Sequence, residues 1–163
     1  MIEKTLVLLK PDAVQRGLMG EIISRFEKAG MKIVAMRLAW SDADKATKHY
    51  TEDITVRRGE KVRNQLVNFI TSGPVLAMVI EGVSAIENVR MMVGSTEPKA
   101  AQPGTIRGDY SHVSFSHADE QDRVVENIIH ASSDETDAQR EIYIWFNEDE
   151  IYNFKTVYES HTF

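Results

Sequence analysis

Cysteine is absent from this 163-residue sequence, which removes disulfides, zinc fingers and thiol nucleophiles from consideration. Long apolar runs are missing too. The longest clean one, "VLAMVI" at 75–80, has the length of a strand and cannot span a bilayer. The opening "MIEKTLVLL" holds a four-residue apolar run, too short for a secretory leader, so a cytoplasmic protein is expected. Positive charge is in deficit: the formal net charge is −6, which argues against a nucleic-acid partner gripped by overall basicity. An anionic ligand would have to be held by a few placed cations. Neither a Walker A loop nor G-x-G-x-x-G occurs, so P-loop and Rossmann phosphate sites are excluded. No internal repeat and no domain linker is visible.

What is present is ordinary for a soluble globular chain, with 42% apolar and 27% charged residues, and the length suits one domain with a real core. "KTLVLLK" reads as a buried strand ended by Pro11. A helix follows over "MGEIISRFEKAG", where Ile22, Ile23, Phe26 and Ala29 keep helical spacing and Gly30 suits the C-terminal cap. "MKIVAMRLAW" is a long strand in which Ile33, Ala35 and Arg37 alternate with Val34, Met36 and Leu38. "SDADKATKHY" predicts a short capped helix, "TEDITVRRGEK" a polar linker, and "VRNQLVNFI" another helix. After Gly73 and Pro74 come the strand "VLAMVIEG" and the helix "SAIENVRMMVG". Residues 95–119 read as a long loop, a feature that in compact domains is often functional. "VVENIIHAS" is the last strand and "SDETDAQREIYIWF" the last long helix. The tail "IYNFKTVYESHTF", with four aromatics, is expected to pack down. This order predicts an α/β (α+β) fold of the ferredoxin-like βαββαβ type, an antiparallel sheet covered by helices. Residues 1–146 would form the core of a single domain spanning 1–163, and 147–163 its C-terminal tail.

His130 ends an apolar stretch where a helix-starting stretch begins. Alone, such a histidine reads as a half-buried packing residue. It does not stand alone. Ser132 and Glu135 have capping-box spacing, and the helix N-terminus they predict would favour an anion beside the imidazole. On that helix Glu141 shares the covered face with Ala138 and Trp145, and a buried carboxylate needs a partner. If Glu141 accepts Nδ1–H of His130, it sets the tautomer and leaves Nε2 free as a nucleophile. Asn127 supplies an amide near the same strand end. Cations that could hold phosphate sit in three otherwise apolar or Gly/Pro-rich segments: Lys10 at the end of the first strand, Arg90 with Thr96 in "ENVRMMVGSTEP", and Arg107 in "PGTIRGDY", whose glycines let backbone approach a ligand. Arginine meets phosphate oxygens in a fork, lysine as a point charge.

The segments "LVLLKPDAVQRGLMGEIISRFEKAGMKIVAMRL", "HYTED", "SGPVLAMVIEG", "MMVGSTEP", "PGTIRGDY" and "ENIIHASSD…EIYIWF" together resemble the nucleoside diphosphate kinase family, in order, over nearly the whole chain to Phe146. The resemblance implies Mg2+-dependent ping-pong transfer of the γ-phosphate of a nucleoside triphosphate to His130, then to a nucleoside diphosphate. Carried over by residue, Lys10, Tyr50, Arg90, Thr96, Arg107 and Asn127 would contact phosphates or sugar, and Glu141 and Ser132 would support the nucleophile. Magnesium would arrive bridging the nucleotide's phosphates, with no protein metal cage. A homo-oligomer is also expected, but neither its size nor a base preference can be read off.

The chain departs from the family pattern in places. Counting back from Leu66 and "SGP", the position that usually offers a base-stacking phenylalanine holds Val62, which has no π-face. Arg57 and Arg58 both remain candidates for the distal phosphate. An extended segment at 111–125 replaces a short link, and its His112, Phe115 and His117 read as loop residues. His49 beside Tyr50 reads as structural. The extension also keeps open a second reading, a nucleotide-binding regulatory relative without turnover.

Overall fold

The computed structural model describes residues 1–163. Four strands form one antiparallel sheet: β1 (Ile2–Leu9), β2 (Lys32–Ala39), β3 (Val75–Val83) and β4 (Ile129–Ala131), in the order β2-β3-β1-β4. The expected ferredoxin-like βαββαβ arrangement is present. Helices, beginning with the short α1 (Pro11–Gln15) that follows β1, cover both faces, which is why β1 reads as an unbroken apolar run rather than an alternating one. Val7 and Leu9 join Met78 and Ile80 under α2 (Met19–Lys28, through Ile22 and Phe26) and α6 (Ala85–Val93, through Val89 and Val93). Leu6 and Leu8 join Ala77 and Val79 under the other layer. That layer is built from α3 (Ala43–His49), α5 (Glu60–Ile70) and α9 (Glu135–Trp145), through Ala46, Ile70, Ile142 and Trp145.

Several boundaries differ from the sequence expectations, each for a local reason. The linker "TEDITVRRGEK" is mostly helix α4 (Glu52–Arg58), broken from α5 by Gly59 at φ +91°. An Asp53–Arg57 pair at 2.5 Å bridges one turn of it. The alternation in β2 is interrupted by a register shift between Ile33 and Ala35, so Val34 and Ala35 are both buried on one side. Beyond the bulge, Met36 and Leu38 point outward and are more than half exposed. The last strand is only three residues long, and the helix after it is capped by Asp134, whose side chain accepts from Asp137 N–H, rather than by Ser132. The 95–119 loop contains α7 (Ile106–Tyr110) and α8 (Phe115–Glu120). The tail is held by its backbone and by Lys32, through Tyr152 N–H to Val34 O at 2.8 Å and Lys32 Nζ to Phe154 O at 2.6 Å. Its four aromatic rings stay over 40% exposed.

Candidate active site

β4 pairs with β1 so that His130 lies opposite Leu8. Alternation sends Ile129 and Ala131 into the α2/α6 core. His130 therefore points to the face covered by α9. On α9 the buried positions are Ala138, Glu141, Ile142 and Trp145, one stripe at helical spacing. Because α9 lies across this face, Glu141 meets the imidazole at its far nitrogen: Nε2 of His130 is 2.8 Å from Oε2 of Glu141. Ser132, completely buried, donates its hydroxyl to the same oxygen at 2.7 Å. Arg140 Nη2 donates to Oε1 at 3.4 Å. Burial pushes the Glu141 carboxyl toward neutrality, but the His130 ring and the Ser132 hydroxyl outweigh it and hold the pKa below the usual range. An ionised Glu141 makes Nε2 the proton-bearing nitrogen. Nδ1, not Nε2, is then the open one. The expected pairing of His130 with Glu141 is present with the nitrogens reversed, since the helix approaches the tip of the side chain and not its root.

His49 packs edge-on against His130, with ring centroids 4.5 Å apart. It is buried and accepts a long hydrogen bond from Trp145 Nε1 at 3.4 Å. Burial and the neighbouring His130 ring push its pKa well below the ordinary value, so it stays neutral. Its role is packing, with Nε2 left unpartnered.

His130 opens into a cleft of about 590 Å³. Lys10, Tyr50, Val62, Leu66, Arg90, Thr96, Arg107, Asn127 and Glu141 all line that cleft. Ser132 sits behind the wall. Lys10 is 6% exposed and donates to Asn127 Oδ1 at 2.6 Å, and Asn127 Nδ2 donates to Thr96 O at 2.8 Å. Burial and the nearby Arg107 charge lower the Lys10 pKa to about 8. Arg107 spends three nitrogens on backbone carbonyls, those of Asn127, Gly94 and Ile129 at 3.2, 3.0 and 2.6 Å. It thereby braces the rim while keeping its charge beside Lys10. Burial and Arg90 lower its pKa to about 10. Arg90 is exposed at the mouth.

Of the glycines of "PGTIRGDY", Gly108 serves chain packing, since a Cβ there would lie 2.1 Å from Gln102 O, while Gly104 turns the backbone at φ +91°. Tyr50 keeps a buried hydroxyl without a partner.

Three features of the cleft and its support escaped the sequence reading. Asp12 is buried and accepts Ile128 N–H at 3.0 Å through Oδ2, while its Oδ1 has no partner. Burial, outweighing the Lys10 charge, raises its pKa. Ile128 itself adopts φ +60°, and Ile129 N–H reaches Asn127 O at 2.7 Å, so a tight turn separates Asn127 from His130. A β-branched residue in this region is strained by roughly 1–3 kcal/mol. Asp12 below it and Lys10 N–H on its carbonyl, at 2.9 Å, hold it there. The third miss is Phe115. His112 and His117 lie exposed and outside the cleft, but Phe115 lines it, with the Arg58 guanidinium 5.1 Å from its ring centre. Arg57 also lines the cleft and is tied to Asp53.

An imidazole with one open nitrogen, set beside Lys10, Arg90 and Arg107, none of which forms an ion pair with a carboxylate, is the equipment of a phosphotransferase. A family model for nucleoside diphosphate kinase matches residues 3–151. The chain is 50% identical over 156 residues to a nucleoside diphosphate kinase of Borreliella burgdorferi, covering 95% of this chain and 93% of that one. It is 50% identical over 153 residues to one of Pyrococcus furiosus, covering 94% and 88%. The structure of a transition-state mimic of the enzyme from Borrelia burgdorferi, with vanadate and ADP bound, superposes at a TM-score of 0.97 with 49% identity, covering 99% of this chain and 96% of that one. A halophilic nucleoside diphosphate kinase from Halobacterium salinarum in complex with CDP superposes at 0.84 with 39% identity, covering 98% and 97%. The chain belongs to the nucleoside diphosphate kinase family and is a phosphotransferase.

Proposed function

We propose that the chain moves the terminal phosphate of a magnesium-bound nucleoside triphosphate to Nδ1 of His130, and from there to a nucleoside diphosphate. In the first half, the Nδ1 lone pair forms the N–P bond as the bond from phosphorus to the bridging oxygen breaks, and the nucleoside diphosphate leaves with that electron pair. The ring needs no base, because Nδ1 carries no proton. The positive charge that develops on the imidazole falls on Nε2–H, and ionised Glu141 offsets it, with Ser132 steadying the carboxylate. In the second half a terminal oxygen of the acceptor diphosphate takes the phosphoryl group back. Lys10, Arg90 and Arg107 offset charge on the transferring oxygens, with Asn127 and Thr96 framing them. Tyr50 serves the sugar side and Val62 and Leu66 the base. The observation that carries this reading is the 2.8 Å contact between Nε2 of His130 and Glu141, which leaves Nδ1 open in a cationic cleft.

Magnesium is part of the substrate in this reading. The carboxylates of the cleft are already engaged, Glu141 by His130 and Ser132, Asp53 by Arg57 and Asp137 by Arg140, and the three candidate ligands close together are His49, His130 and Glu141, an unsuitable set for a metal that prefers oxygens. The acidic composition, and helices none of which is long and apolar enough to cross a membrane, suit work on cytoplasmic nucleotides. Residues 1–163 act as one unit, with 147–163 as a brace for β2. Met36, Leu38 and Trp40, exposed along the edge of the sheet, support self-association there. Incubation with labelled ATP and magnesium should give an acid-labile, alkali-stable phosphoprotein that passes its label to GDP. No label on the wild type, or equal label on His130→Ala, would sink the mechanism.

A further inference from the structure

The base slot has an apolar wall but no aromatic one where it was expected, since Val62 and Leu66 supply it from α5. The aromatic rings of the cleft are otherwise committed. Tyr50 and His49 are at most 6% exposed and pack against one another, and His130 is engaged by Glu141. Phe115 is the exception: it lines the same cleft, is half-buried, and comes from the 111–125 extension.

That extension is not loose. On one side Phe115 N–H donates to Glu97 Oε1 at 2.8 Å, and Lys99 N–H donates to Val113 O at 3.1 Å. On the other, Asp122 meets Lys61 Nζ at 2.5 Å and accepts from Gln65 Nε2 through its carbonyl at 3.0 Å. It is therefore stitched both to the segment carrying Thr96 and to the helix carrying Val62. Arg58, the last residue of α4, lays its guanidinium against the Phe115 ring.

We propose that Phe115 is the stacking platform for the nucleotide base, standing in for the ring that Val62 lacks. This rests on the function proposed above. Its backbone is pinned on both sides, so the ring is pre-positioned and little ordering opposes binding. A π-face accepts every base, so a slot built on it discriminates weakly among nucleotides. The exposed Arg58 guanidinium covers the ring until a base displaces it or stacks on the opposite face.

The test compares ligands with and without a base. Phe115→Ala and Phe115→Leu should each weaken ADP binding by roughly tenfold in calorimetry, while inhibition by magnesium tripolyphosphate, which has no base, stays as in the wild type. Phe115→Trp should restore or tighten ADP binding. Equal weakening of ADP and tripolyphosphate would overturn the proposal in favour of a purely structural extension, and so would no weakening of either. Labelling of His130 by ATP in the wild type separates the two failures: if it occurs while the ligand discrimination does not, the platform alone is wrong, and if it does not occur, the phosphotransfer reading fails with it.

Discussion

Lys10 and Lys32 are almost equally buried, at 6% and 5% exposure, yet their surroundings are opposite. Lys32 meets Glu81 at 2.8 Å, Glu159 at 3.0 Å and the carbonyl of Phe154 at 2.6 Å. Burial opposes its charge, but those carboxylates overcome that and raise its pKa. Lys10 has one neutral amide at 2.6 Å and no carboxylate at ion-pair distance, and burial together with Arg107 outweighs the Asp12 charge and lowers its pKa to about 8. A lysine that holds a fold together is matched within the chain. A lysine left unmatched, at the mouth of a strand and beside other cations, is waiting for an anion from outside.

The sharpest way to break this comparison is to remove each charge. Lys10→Met should lower kcat/KM for nucleotide by about 100-fold or more, in line with other losses of transition-state charge stabilisation, while the melting temperature holds or rises because a buried unmatched cation is gone. A melting temperature that drops as far as that of Lys32→Met would show that Lys10 is structural after all. Lys32→Met should cost about 2 kcal/mol of stability, less than for a sealed pair because Glu81 and Glu159 keep some water. Denaturant unfolding measures that loss, and the specific activity of the folded protein should be unaltered.

Alkaline pH should sharpen the same contrast, with opposite signs. Above about pH 8 the folded protein releases the Lys10 proton while the unfolded chain keeps it up to 10.5, so this residue adds stability as pH rises between those values. Lys32 has a folded pKa above its unfolded one. Its contribution is complete below pH 10.5 and is lost as pH climbs through the folded value. Unfolding curves of the two Met variants against pH should each lose one of these slopes. Nucleotide binding near pH 8.5 should also take up a proton, seen as a buffer-dependent heat that Lys10→Met abolishes. The smallest effect belongs to Ser132→Ala, which removes one hydrogen bond to Glu141 and should slow phosphorylation of His130 several-fold, about 1 kcal/mol. A rate equal to wild type would mean that the imidazole alone holds the carboxylate.

Much of this was legible from residue order. The covered stripe Ala138, Glu141, Trp145 predicted a buried carboxylate on the last helix, and the strand ending at His130 predicted where it would land. The nitrogen it would choose was not legible, because that depends on how high over the strand the helix crosses. Ser132 was expected both to cap a helix and to support the nucleophile; Asp134 takes the cap, and the Ser132 hydroxyl serves Glu141 alone. The segment at 52–58 read as a linker since its hydrophobic spacing is poor; an ion pair across one turn and Gly59 define it as a helix. Asp12 and the strained turn at Ile128 leave no signature in sequence, because each exists only through the other.

By itself the sequence determined the fold class, the absence of thiol and P-loop chemistry, and the residues competent to hold phosphate, since periodicity, residue type and local spacing are properties of the chain. Tertiary structure alone decided which nitrogen of His130 stays open, which of two buried lysines is left without an ion pair, and that a phenylalanine of the 111–125 segment lines the same cleft. Those are outcomes of contacts between segments far apart in the chain, and no local pattern encodes a distance across the fold.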